Sequence, residues 1–438
     1  MFSFSRLPRI WLTAGVAVSI IGLLLIGFRS QYPHYSPKLY TPPPPSSPGQ
    51  KPGDVGSHVQ TPPAGATGGS RPAKTRPAQA VPSVSSKVTD LQSLEDTRNA
   101  TLGFEKLLVI NFPDRTDKRD RMTLMGVSTG LHFSFLPAVD GNKVPDSAMP
   151  PKAAGWTGKV RGSWRAHMDA LWYVVDNNLT SAVIFEDDLD WDIRIRDQAR
   201  DFAVATRALL QPLVGRPREF ADPTYPTVKD KDAELDPPPL SFEELPVTEP
   251  PVTSPYGDHW DLLWLGHCGV QQPVGNPKQE WAERSRHISK GTVVKLQDAT
   301  VPQMSDIHSW DDDGHARFRN TYAPHTRIYH SGLDEVCTFA YAVSQAGARK
   351  ILYDLGLWKM EDPFDLGLRQ FCDGIMGHER HICLTTQPSL FSHYEHKEGS
   401  ELDHEKTWNI RWSARENLPK LLDGKTDFDD QWPDAGLK

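Results

Sequence analysis

The chain has 438 residues, room for one large domain or two ordinary ones. A hydrophobic fraction of 38%, 38 prolines and a mean hydropathy of −0.50 exclude a chain packed throughout its length, since proline-rich polar stretches bury no core. The formal net charge of −8 argues against a basic, nucleic-acid-binding surface, and no nucleic-acid partner is expected.

Residues 1–9 carry Arg6 and Arg9 and read as a short cytoplasmic tail. From Ile10 to Phe28 there is no charge, a run of 19 residues that is long enough to cross the hydrocarbon layer. The positive-inside rule places the remainder in the lumen, so the expectation is a single-pass type II protein of the Golgi or endoplasmic reticulum membrane. A cleaved signal peptide is the rival, but Leu23 to Arg29 offers no small-x-small cleavage site. Asn99-Ala100-Thr101 and Asn178-Leu179-Thr180 are glycosylation acceptors if they see the lumen. Cys268, Cys337, Cys372 and Cys383 permit two disulfides there, with three connectivities open, or buried thiols.

Residues 29–100 form a Pro-rich luminal stem, including Pro42-Pro43-Pro44-Pro45, whose polyproline geometry is extended and expected to be disordered. The globular domain spans 101–415, followed by a C-terminal tail over 416–438. Lys106 to Asn111 is a short apolar strand closed by the turn Asn111-Phe112-Pro113-Asp114. A basic stretch with Arg115, Lys118, Arg119 and Arg121 opens a helix, and Phe133 to Val139 is a second strand. Ser163 to Asn177 is helical in pattern, with Met168, Leu171, Trp172 and Val175 on one face.

Ala182-Val183-Ile184-Phe185 is the third strand, and it runs straight into Glu186-Asp187-Asp188, with Asp190 just beyond. Adjacent carboxylates repel one another, and a hard divalent cation removes that penalty by taking their oxygens as ligands. The alternative is a solvated acidic turn. Residues 216–259 break the pattern with recurrent proline and read as a disordered surface insertion. Trp260 to Gly266 resumes the core, Cys268 to His330 lacks a clear period, and Phe339 to Val343 followed by Ala346 to Leu355 gives a further strand and helix. The order strand, helix, strand, helix, strand predicts an α/β fold with parallel strands and a ligand at their carboxyl ends.

Several segments together resemble glycosyltransferase family 25, which includes lipooligosaccharide and procollagen galactosyltransferases. Val109 to Met122 resembles its opening motif VINLxxRxDRxxRM, and Ala138-Val139-Asp140-Gly141 is similar to AxDG. Gly162 to His167 looks like GCxLSH, Phe185 to Asp188 like LEDD, Trp260 to Gly266 like WDxxxLG, and Thr338 to Ser344 like TxAYxxS. These six segments keep the family's order across about two thirds of the chain, from roughly residue 104 to 400. Ala166 stands where the family usually has Ser, and the 216–259 insertion separates the acidic cluster from the next strand.

The resemblance implies a GT-A type fold: a nucleotide-sugar-binding α/β domain with a Rossmann-like mixed sheet, using manganese or another divalent cation. It implies transfer of a hexose, galactose from UDP-galactose, with inversion onto a hydroxyl of a glycan or glycoprotein. Glu186, Asp187 and Asp188 would then supply the metal's ligands, with Asp188 the direct one, Glu186 also a metal ligand, and Glu186 or Asp187 oriented to the donor's ribose or a metal-bound water; the register Asp188-x-Asp190 stays open. His393 is the expected later ligand, with His396 in reserve, or else a surface histidine. Asn111, Arg115, Arg119 and His167 would contact the donor, the guanidiniums pairing with phosphate, although such arginines also decorate solvated helix faces. Asp365 is the expected catalytic base, or acceptor contact, or else a helix cap. His308, Asp311, Asp312, Asp313 and His315 form a metal-friendly composition outside these motifs and read as a solvated loop. A catalytically silent luminal binding protein on the same fold is the alternative function.

Overall fold

A computed structural model describes residues 94–149, 151–279, 281–309, 316–359, 361–394 and 406–434. The expected cytoplasmic tail, membrane span and most of the stem lie outside the described residues, as do His396, Asp311, Asp312, Asp313 and His315. Among the described residues no helix is long and apolar enough to cross a membrane.

The fold is α/β. Its first part alternates strands and helices: β1 (Lys106–Asn111), α1 (Thr116–Thr129), β2 (Ser134–Pro137), α2 (Gly158–Asp176) and β3 (Ser181–Phe185). Then come β4 (Leu189–Trp191), α3 (Ile195–Leu210), β5 (Pro212–Leu213), β6 (Arg216–Phe220), β7 (Leu240–Ser241), β8 (Leu262–Gly266) and β9 (Thr292–Lys295). The chain continues with α4 (Ala316–Thr321), β10 (Arg327–Ser331), β11 (Ala340–Ser344), α5 (Gln345–Tyr353), α6 (Phe364–Asp373), β12 (Cys383–Gln387), β13 (Phe391–His393) and α7 (Leu418–Leu422).

Nine strands form one sheet in the order β2-β1-β3-β11-β8-β12-β10-β9-β7. β1 pairs in parallel with β2 and β3, as the early alternation predicts. β11 runs antiparallel to both β3 and β8, so the whole sheet is mixed rather than parallel. The difference arises because β11 follows a long excursion through β9 and β10, and a strand returning that way can enter in either direction.

Alternation along each strand feeds two cores. Leu107, Val109, Val183, Phe185, Leu263 and Leu265 pack on one face with Met122 and Met125 of α1 and Phe202 of α3. Leu108, Ala182, Ile184, Leu262 and Trp264 pack on the other with α2, α5 and α6. Both faces are covered, which is why β3 and β8 are continuously apolar and buried. Thr157 caps α2 by accepting from the Val160 amide, and the helix buries Trp164, Met168, Leu171 and Val174, spaced near whole turns. Trp172, expected on the apolar face, is instead exposed.

Residues 216–259, expected to be disordered, take a defined course. β5 and β6 form a hairpin, and β7 adds to the edge of the main sheet beside β9. Asp258 fastens the end of the segment by accepting from the amides of Val252 and Thr253 and from Gln211. Tyr256 is buried and donates its hydroxyl to the Leu102 carbonyl. Proline suits this extended backbone, and the anchors are side-chain hydrogen bonds of Asp258 and Tyr256, which leave no hydrophobic period to read.

The tail expected from residue 416 is also packed. Asn417 is fully buried, and Gln431 accepts from the Thr407 amide while donating to the Ile410 carbonyl. Two disulfides, Cys268–Cys337 and Cys372–Cys383, use all four cysteines.

Candidate active site

Glu186, Asp187 and Asp188 leave the carboxyl end of β3 beside the first turn of α1. The Glu186 amide donates to the Phe339 carbonyl at 3.0 Å, which prolongs the β3–β11 ladder just past the strand and fixes where the acidic turn begins. Asp187 is held by Asn111, whose Nδ2 donates to Oδ2 at 2.8 Å and also to the Arg115 carbonyl at 3.2 Å. Asn111 is the last residue of β1, so the end of one strand orients the carboxylate that follows its neighbour.

Lys118, in the first turn of α1, joins the two aspartates. Its Nζ donates to Asp187 Oδ1 at 2.7 Å and to Asp188 Oδ2 at 2.8 Å. His393 arrives from β13, whose residues pair antiparallel with β4, and places Nε2 3.4 Å from Asp188 Oδ2. Phe339 stacks on the His393 ring at 5.6 Å and supports it. The other oxygen of Asp188, Oδ1, is buried with no hydrogen-bond partner.

Glu186 accepts from Thr338 Oγ1 at 3.3 Å, and its Oε1 lies 4.0 Å from His167 Nε2. His167 is buried on α2, with Nδ1 3.0 Å from the Tyr341 hydroxyl and its ring stacked on Phe364 at 4.5 Å. A cavity of about 570 Å³ opens over these groups. Its walls include Lys118, the 138–142 turn, Gly162, His167, and Glu186 to Asp188.

The electrostatics follow from this packing. Burial would raise the Asp188 carboxyl, but the hydrogen bond and charge of His393, with Lys118, hold it well below the usual range. Burial, then the charge of Asp188, pushes Glu186 up to about 7. The side chain is 36% exposed, so water in the cavity moderates that rise. Burial drops the His167 imidazole to about 3, which keeps it neutral. Lys118 keeps its charge: burial opposes it, and Asp188 and Asp187 more than compensate.

Among the expected site residues, Asn111, His167, Glu186, Asp187, Asp188 and His393 are brought together. Arg115 and Arg119 are not among the residues lining the cavity, and Arg115 pairs with Asp117 at 2.7 Å. Asp365 lies in the first turn of α6, next to the Phe364 that stacks on His167, and does not line the cavity either. His308 stacks against Trp408, away from these groups. Asp190 is fully buried and turned to the C-terminal segment, where Thr407, Ser413 and the Arg415 amide donate to it. That leaves Asp188, rather than the Asp188-x-Asp190 pair, facing the cavity.

The sequence shows Lys118 only as part of a basic stretch and does not single out Thr338. One local signal was available for Lys118: a cation in the first turn of a helix opposes the helix dipole and calls for nearby negative charge.

The donor chemistry, two or three carboxylates and an imidazole, suits a hard or borderline divalent cation, and the unpartnered Asp188 Oδ1 is a ligand position in waiting. Among the described residues no three His, Cys, Asp or Glu side chains already converge as a metal site. Lys118 occupies the place between Asp187 and Asp188 where convergence would be needed. No known family model matches the chain, and no curated protein matches it either.

Proposed function

We propose that the protein is a metal-dependent glycosyltransferase of GT-A type, moving a hexose from a nucleoside diphosphate sugar to a hydroxyl of a glycan or glycoprotein. The observation that carries this reading is the Asp188 carboxylate, buried and unpartnered at Oδ1 and flanked by His393, beside a cavity that Asp188 and Lys118 line. Asp188, His393 and Glu186 would hold the divalent cation, manganese by resemblance, and when bound it would neutralise charge developing on the leaving diphosphate. Galactose as the sugar, UDP as the carrier and inversion as the outcome come from the resemblance to family 25.

The residues of the chain divide the work. Asn111 orients Asp187, Thr338 and the β3–β11 ladder orient Glu186, and neutral His167 forms a rigid wall against Phe364. The 138–142 turn and Gly162 bound the space for the nucleotide. Asp365 as the base for the acceptor hydroxyl comes from the resemblance alone, since it lies in the first turn of α6 and does not line the cavity.

The test is a donor panel. Detergent-solubilised full-length chain with MnCl2 and individual UDP-sugars is assayed for free UDP and transferred sugar. Manganese-dependent turnover with one donor, lost in Asp188→Ala, is expected. No turnover with any donor, together with UDP binding that survives Asp188→Ala, sinks the enzyme reading and leaves a silent binding protein.

A further inference from the structure

Lys118 sits where helix electrostatics argue against a cation. It is the third residue of α1, whose first-turn amides present partial positive charge. Its ammonium is matched instead by Asp187 and Asp188, at 2.7 and 2.8 Å, and the side chain is 15% exposed. Asp188 is a ligand of the proposed metal site, and Asp187 lies next to it in the chain. Lys118 also lines the cavity proposed for the donor, so one side chain reaches both the metal ligands and the space of the diphosphate.

The charge balance around Lys118 changes once a cation and a diphosphate enter. Asp187 and Asp188 carry two negative charges and Lys118 one positive. A divalent cation taken up by Asp188 would face the ammonium that now sits 2.8 Å from that carboxylate, where like charges repel strongly in a partly buried site. A diphosphate entering with that cation brings new acceptor oxygens. The lysine stem is flexible, with three rotatable donors on its head, so the ammonium can swing while α1 stays fixed.

We infer that Lys118 is a further catalytic residue: it holds Asp187 and Asp188 in place before the donor arrives, releases Asp188 to the cation, and turns its ammonium to the leaving diphosphate. This rests on the donor reading above. In the transfer, the bond from the sugar's anomeric carbon to the phosphate oxygen breaks, and its electron pair goes to the diphosphate. The acceptor oxygen bonds to that carbon, and its proton passes to the base. Lys118 keeps its own proton throughout and donates hydrogen bonds to the departing oxygens.

The experiment is calorimetric titration of full-length chain in detergent, first with MnCl2 alone and then with UDP in saturating Mn2+. In Lys118→Met, Mn2+ alone is expected to bind about tenfold tighter, because its competitor is gone, and UDP about tenfold weaker, because a phosphate donor is gone. Affinities that are both unchanged, or both weakened, would overturn the inference. If Lys118→Met does not fold, Lys118→Arg carries the test. A guanidinium that grips the carboxylates bidentately should weaken Mn2+ binding several-fold, and an unchanged value overturns the inference. Wild-type chain that binds neither Mn2+ nor UDP sinks the donor reading itself. Wild-type chain that binds both, without the opposed shifts, sinks only the role given to Lys118.

Discussion

Thr407 donates its hydroxyl to Asp190 Oδ2 at 2.7 Å, across 217 residues of chain. Ser413 and the Arg415 amide donate to the same carboxylate, so Asp190 ties the C-terminal segment to β4, two residues beyond the Asp188 that lines the cavity. Adjacent acidic positions thus have separate duties, one in stability and one in the site. Asp190→Ala strands buried donors and should cost about 3 kcal/mol of unfolding free energy. Urea melts check this, and Mn2+ affinity of the folded fraction should stay within about twofold.

Asp188→Ala should do the reverse. It removes one partner of Lys118 at a partly open site, so stability should change by only about 1 kcal/mol. Manganese-dependent UDP binding should fall by about 100-fold, since the unpartnered Oδ1 and the contact to His393 go together. Titration calorimetry beside a urea melt separates the two effects. A large loss of stability with UDP binding intact would place Asp188 with Asp190 as a structural acid.

Gly162 lets α2 press against the 138–142 turn that walls the cavity. A Cβ there would fall against the Val139 carbonyl oxygen and lie 2.9 Å from the Gly141 amide nitrogen. Both are backbone, so neither can rotate away. Gly162→Ala should cost about 1–3 kcal/mol and weaken UDP binding about tenfold, because the wall itself must move. Full UDP affinity in the alanine variant would show that this wall does not shape the nucleotide space.

His330 offers a pH test remote from the site. Burial, partly offset by its hydrogen bond to the Ser331 carbonyl, drops its imidazole from 6.5 to about 4. The unfolded chain then binds a proton that the folded chain refuses between those values. Stability from this group is therefore full above pH 6.5 and is lost as pH falls, at about 1.4 kcal/mol per pH unit. From pH 7 to pH 5 the wild-type chain should lose about 2 kcal/mol more than His330→Gln. Parallel stability curves for the two chains would count against a neutral buried imidazole.

The strands were legible because a sheet covered on both faces demands continuous apolar runs, and β1, β3, β8 and β11 each appear in the sequence within a residue or two of their ends. The acidic cluster was legible for the same reason, since a buried strand that stops in carboxylates marks a sheet edge. β9 and β10 were not, because short strands mixing charge with β-branched residues carry no clean period, and β7, only two residues long, carries no period at all. The ordered course of 216–259 escaped notice too, since it hangs on Asp258 and Tyr256 rather than on a repeating face.

Local pattern alone thus marks the buried strands and where β3 ends in carboxylates, although it put the exposed Trp172 on a core face. It cannot settle what meets those carboxylates. Lys118 lies about 70 residues from Asp187 and Asp188 in the chain, His393 reaches Asp188 through the β4–β13 pairing, and Asp190 finds its donors 217 to 225 residues away. Burial propensity repeats with the helix or strand period and can be read residue by residue. A charge pairs with whatever the tertiary register brings within about 3 Å, and that register is set only when the whole sheet has assembled.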